Sequence, residues 1–173
     1  AYGVEVMLRR AAIDSFFGWV SYTLSRSDRI DNPEARRPEW YPFDYDQTHI
    51  LTVLGGWELP YAIRMSGRFQ YISGNPYTPY SLGVYDIDTD FYLGIPSGDR
   101  NSERMPPHVN LDLRVEKRFT FQRWRLDTYI DVLNLYKGEN PEYVQYNYDY
   151  TESKYVSGLP LIPSIGFEVE IFP

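Results

Sequence analysis

Asp86-Ile-Asp-Thr-Asp90 sets three carboxylates at alternate positions in a chain of 173 residues. Oxygen ligands at that spacing suit a hard cation such as Ca²⁺, so Asp86, Asp88 and Asp90 are candidate ligands, although the glycine and closing glutamate of an EF-hand loop are missing. The competing reading is a solvated acidic loop. Tyrosines crowd the neighbouring stretches: Tyr77, Tyr80, Tyr85 and Tyr92, then Tyr143, Tyr146, Tyr148, Tyr150 and Tyr155. Each offers a large rigid contact area and a hydroxyl, which suits recognition of a ligand or partner. The run Tyr143–Tyr150 also reads as a hairpin with Lys154–Val156. His49 and His108 show no converging partners and read as ordinary rim histidines. The chain has no cysteine, which excludes thiolate metal sites, thiol nucleophiles and disulfides. No Ser/His/Asp set or phosphate-cradling glycine loop stands out, so the reading is of a protein that is not an enzyme and needs no cofactor beyond the Ca²⁺ candidate.

The elements that would carry these residues follow from a period of two, which sends successive side chains to opposite faces of a strand. Leu111, Leu113, Val115, Lys117 and Phe119 alternate with Asn110, Asp112, Arg114, Glu116 and Arg118. Trp124, Leu126, Thr128, Ile130 and Val132 alternate with Arg125, Asp127, Tyr129 and Asp131. The same pattern sets Ile63, Met65, Phe69 and Tyr71 against Arg64, Ser66, Arg68 and Gln70, and Ile165, Phe167, Val169 and Ile171 against Gly166, Glu168 and Glu170. Together with noisier N-terminal runs, this predicts seven long strands at about 2–10, 16–26, 47–58, 62–73, 109–119, 124–135 and 162–172. Most match the roughly 9–11 residues of a tilted membrane-crossing strand and exceed the usual length of about 5–6. Arg64, Arg68, Asp112, Arg114, Glu116, Asp127 and Asp131 then share one polar face, as a salt-bridged wall or the lining of a solute path.

The connections alternate between short (Ala11–Ser15, Leu59–Tyr61, Thr120–Arg123) and long (Ser27–Asp46, Gly74–His108, Tyr136–Leu161). Short turns at one end and long loops at the other are expected of a transmembrane β-barrel, with periplasmic turns and extracellular loops. Formal charge divides the same way: of a net −7, the long connections hold −8 and all else +1. This balance argues against nucleic acid as a partner. A mean hydropathy of −0.47 therefore averages a greasy surface and an acidic one. Trp19, Trp40, Trp57, Phe119, Trp124 and Phe172 fall near expected strand ends, where aromatic girdles sit at membrane interfaces.

Several stretches resemble the C-terminal barrel of TonB-dependent outer-membrane receptors. Val109-Asn-Leu-Asp-Leu-Arg-Val-Glu-Lys-Arg-Phe119 looks like the strand descending before the last up strand. Trp124-Arg-Leu-Asp-Thr-Tyr-Ile-Asp-Val-Leu-Asn-Leu-Tyr136 is similar to the up strand with its Asn-Leu-Phe signature, here Asn134, Leu135 and Tyr136. Leu161–Phe172 resembles the closing strand, and Phe43–Leu51 and Gly67–Pro79 resemble earlier ones. The chain departs from that pattern at its end, where Pro173 follows Phe172, and in lacking the N-terminal plug and energy-coupling box.

The resemblance implies an all-β fold, an antiparallel transmembrane segment of a barrel of about 22 strands, in the bacterial outer membrane. Seven strands cannot close, since bacterial barrels need about 8 or more. Partners are then the remainder of the barrel and the plug, the lipid bilayer with lipopolysaccharide, and the TonB complex reached through a part not in this sequence. Any targeting signal is expected to have been removed already or to lie upstream of Ala1. The implied function is energy-coupled uptake of a scarce substrate, to which this segment contributes barrel wall and surface loops. The rival readings are an outer-membrane interaction barrel whose acidic, tyrosine-rich loops bind a partner protein without transport, and a soluble tyrosine-rich β-domain.

Overall fold

The computed structural model describes residues 1–13 and 15–172. In chain order the strands are β1 (Tyr2–Ile13), β2 (Phe16–Arg26), β3 (Asp28–Ile30), β4 (Trp40–Pro42), β5 (His49–Leu59), β6 (Ile63–Ile72), β7 (Pro76–Tyr77) and β8 (Tyr80–Asp86). There follow β9 (Phe91–Pro96), β10 (Glu103–Arg104), β11 (His108–Thr120), β12 (Trp124–Leu133), β13 (Pro141–Tyr146), β14 (Ser153–Ser157) and β15 (Ile162–Ile171). The seven long ones form a single antiparallel sheet in the order β1-β2-β5-β6-β11-β12-β15, and the rest pair into two-stranded ribbons within the long connections.

The expected strands and the observed ones differ by at most three residues at any end, and two differences have local causes. β1 runs on to Ile13 because a register irregularity after Arg10 lets Ile13 pair with Phe16. β12 stops at Leu133 because Asn134 takes a left-handed φ of 52° and turns the chain. Of the tight turn expected at Ala11–Ser15, Asp14 lies outside the described residues, as does the chain-end Pro173. Strand neighbours in sequence are neighbours in the sheet, so all short turns share one end and all long connections the other.

Cross-strand rows assign the faces. Phe16, Trp57, Met65, Val115, Ile130 and Ile165 stand opposite one another across six strands. The adjacent parity carries Glu58, Arg64, Glu116 and Tyr129 in one row and Arg68 beside Asp112 in another. Phe119, Trp57 and Trp124 sit on the apolar side near the short-turn end, where Phe121 and Trp124 stack with centroids 4.0 Å apart. Two expected girdle residues lie elsewhere. Trp19 shares a row with Leu54 and Arg68 and so belongs to the charged face, and Trp40 is in the β3–β4 ribbon, outside the sheet.

No Val, Leu, Ile, Met, Phe, Tyr or Trp side chain is buried among the described residues; apart from Pro76 and two glycines, the buried residues are polar: Asp46, Thr52, Asn101, Asp112, Asp127, Asn134 and Asn140. This inverts the usual distribution. The sheet is a single layer, its apolar side uncovered and its charged side shielded by mutual ion pairs. β1 and β15 are its two edges, so the chain on its own forms an open sheet.

Candidate functional site

The charged face is a connected network. Arg64 bridges Glu58 at 2.7 Å and approaches Glu116 at 4.0 Å. Glu116 also meets Arg114 at 3.2 Å and Arg118 at 3.8 Å. Arg114 continues to Asp131 at 3.3 Å, and Arg118 to Asp127 at 2.8 Å. Arg125 then links Asp127 at 3.3 Å to Glu170 at 2.5 Å. The network crosses β5, β6, β11, β12 and β15, because the register sets acid opposite base on neighbouring strands. Tyr129 leans over Gly166, whose place a Cβ would contest at 2.3 Å from the phenol, and Arg114 stacks on that ring at 3.8 Å. Arg68 adds a fork onto Asp112, with Nε at 3.1 Å and Nη2 at 2.7 Å. All seven polar-face residues expected from the sequence thus lie on this face, Arg68 exposed and the other six half-buried or buried.

Asp112 also marks where sheet and loops join. Its carboxylate accepts from the Asn110 side chain at 2.9 Å and from the Asn134 amide at 3.1 Å. Asn134 in turn donates to the carbonyls of Gly138 and Leu159, at 3.0 and 2.9 Å. Asn140 accepts the Val109 amide at 2.7 Å. A cleft of about 310 Å³ opens there, lined among others by Arg68, His108, Asn110, Asp112 and Glu142.

The other long connections are anchored in the same manner. Asp46, 2% exposed, accepts the Ser27 amide at 2.6 Å, the Thr48 hydroxyl at 3.2 Å and the Arg104 guanidinium. Burial pushes its carboxyl up, but these three donors outweigh that and hold it below the usual carboxylate range. Asn101 donates to the Pro42 carbonyl at 2.8 Å and to Asp44 at 2.6 Å. Arg100 reaches Asp31 at 2.7 Å and covers the Tyr41 ring at 4.1 Å. The middle connection therefore clasps the first.

It clasps the third through tyrosine. Tyr80, Tyr146 and Tyr150 form a triangle with centroids 5.5 Å apart, and the Tyr80 amide donates to the Tyr146 hydroxyl at 3.1 Å. Tyr85, Tyr92 and Tyr148 continue as a row at 5.3 and 5.6 Å. Gly83 and Gly94 face each other across the β8–β9 ribbon, and a Cβ on either would strike Asp149 or Tyr150. Tyr77 donates to Glu103 at 2.8 Å and has the Tyr155 hydroxyl beside its own. Burial first, and then the Glu103 carboxylate, raise its phenol above the ordinary tyrosine range. The expected hairpin is present, β13 pairing β14 with Val144 opposite Tyr155.

Asp86, Asp88 and Asp90 occupy the β8–β9 turn but do not converge, and among the described residues no three His, Asp or Glu side chains form a metal set. Asp86 is spent on the turn itself, accepting the Asp88 amide at 3.0 Å and the Thr89 hydroxyl at 2.9 Å. Asp90 takes the Tyr85 hydroxyl at 2.5 Å, a contact that raises the Tyr85 phenol. His49 is hydrogen-bonded to the Tyr22 hydroxyl at 2.8 Å.

Sequence reasoning did not single out Asp46, Asn101 or Asn140 as anchors. Asn101 and Asn140 have left-handed φ of 56° and 43°, so asparagine at a turn was the available signal. No protein-family model, curated protein or solved structure matches the chain.

Proposed function

We propose that the chain forms part of the wall of an outer-membrane barrel, the C-terminal segment of a TonB-dependent receptor that takes up a scarce substrate by energy coupling. The observation that carries this reading is the seven-stranded sheet with an exposed apolar face, an ion-paired opposite face and, among the described residues, no buried Val, Leu, Ile, Met, Phe, Tyr or Trp side chain. In water that apolar face would far exceed the few hundred Å² that soluble monomers expose; in a membrane it faces lipid and is satisfied. From Val109 to Phe119 a strand rises about 33 Å at about 3.3 Å per residue. A tilt of about 40° projects this to about 25 Å, the height of a barrel's apolar band.

The open edges fit the same reading. An unpaired edge in hydrocarbon costs several kcal/mol per amide, so β1 and β15 call for further strands supplied outside these residues. Within such a barrel the Arg–carboxylate ladder is lumen wall and plug contact, and the three interlocked loops form the outer rim. The segment itself performs no chemistry.

Cell fractionation tests the membrane part. The intact protein is expected in the outer membrane, released only by detergent; recovery in the aqueous phase would leave the soluble β-domain instead. Uptake is tested separately. Transport predicts that collapsing the proton gradient stops accumulation while surface binding persists. Loop-dependent binding that is unchanged, in a protein with no plug, would favour the interaction barrel.

A further inference from the structure

The β8–β9 ribbon has two unlike faces. Gly83, Gly94, Tyr85 and Tyr92 lie on one, the side that packs on Tyr148, Asp149 and Tyr150. The register pairs Leu82 with Ile95 and Val84 with Leu93, and sets Phe91 opposite Asp86, so these residues share the other face. Leu82, Val84, Phe91, Leu93 and Ile95 are all exposed, Phe91 at 70%, and Ile87 at the tip is exposed at 82%. This ribbon stands at the loop end, outside the seven-stranded sheet, so the lipid reading of the sheet face does not account for it.

We propose that this face docks a second protein, through a contact area apolar at its centre and edged with Lys or Arg. Contiguous exposed apolar side chains on a polar support mark interaction surfaces, and charge selects the occupant. Residues 80–96 contain Asp86, Asp88 and Asp90 and no Lys or Arg. A second copy of this chain would bring the same negative rim against its own, and an anionic lipid headgroup layer would be repelled likewise. A basic rim is complementary, and complementary charge steers encounter and sets register. This inference goes beyond the proposed uptake role and stands without it.

The test places a benzoylphenylalanine photocrosslinker at position 93 of the intact protein in its own cells, with position 165 on the sheet as control. The expected result is one distinct adduct at position 93 and none at 165. The cross-linked peptide, sequenced by mass spectrometry, should come from a different polypeptide and carry Lys or Arg beside apolar residues. Asp88→Lys reverses one rim charge without touching the hydrogen bonds that close the turn, and should reduce the adduct severalfold. Adducts only to this chain, to a second copy or to lipid would overturn the proposal, as would a yield indifferent to Asp88→Lys. None of these outcomes depends on whether the protein fractionates with the membrane.

Discussion

In the sheet, neighbouring strands are held by long backbone ladders and by ion pairs whose arginines stay partly exposed, whereas in the loop layer each buried polar side chain ties segments far apart in the chain. Asn101 reaches back to Pro42 and Asp44, and Arg104 to Asp46; Arg114 needs only the next strand. The sheet is therefore redundant on its charged face and unforgiving on its apolar one, while the loop layer depends on a few points. Neither region rests on an apolar core of its own.

The contrast between the sheet's two faces should break most visibly with an added charge. Val115→Arg or Ile130→Arg, near mid-membrane on the proposed lipid side, should cost about 2–4 kcal/mol of barrel stability, read from denaturant unfolding of the intact protein in lipid. A next, smaller effect is expected at a loop anchor. Asn134→Ala leaves the Gly138 and Leu159 carbonyls without their donor, a loss of about 1–3 kcal/mol, felt locally. Hydrogen exchange should quicken at Gly138 and Gly158 while the amides of β11 and β12 keep their protection.

Acid should likewise separate the regions. The Asp46 carboxyl is held below its unfolded value of about 3.9. Its contribution is present above that value and is lost as pH falls through the folded pKa. Below about pH 4, the joint between the first and middle connections should loosen, seen as faster proteolysis at residues 27–46. Asp46→Asn should show that susceptibility already at neutral pH. The smallest effect is expected on the charged face: Arg114→Ala or Asp131→Ala removes one half-exposed pair from a network and should cost about 0–1 kcal/mol. Equal costs for Val115→Arg and Arg114→Ala would erase the distinction between the faces.

The same distinction separates what the sequence shows from what it hides. Strand alternation is local and repeated, so Leu113, Val115 and Phe119 against Asp112, Arg114 and Arg118 are legible without a structure, and acid–base pairing across strands follows once the register is known. The anchors are not. Asn101 and Asn140 look like ordinary turn residues, because their partners lie tens of residues away. Asp86, Asp88 and Asp90 leave two readings open in the sequence, a cation site and a solvated turn, and only the structure shows the short-range hydrogen bonds to Thr89 and Tyr85 that engage two of them. Trp19 reads as a girdle residue by its place near a strand end, and the row it shares with Arg68 assigns it to the other side.

The most direct test of the account is labelling from inside the bilayer. A photoreactive reagent confined to the hydrocarbon, applied to the intact protein in its native envelope, should modify Val115, Ile130 and Phe167 and spare Arg114, Asp131 and Glu168, a period of two along β11, β12 and β15. Labelling of neither set, or of both alike, would contradict a sheet with one face in lipid.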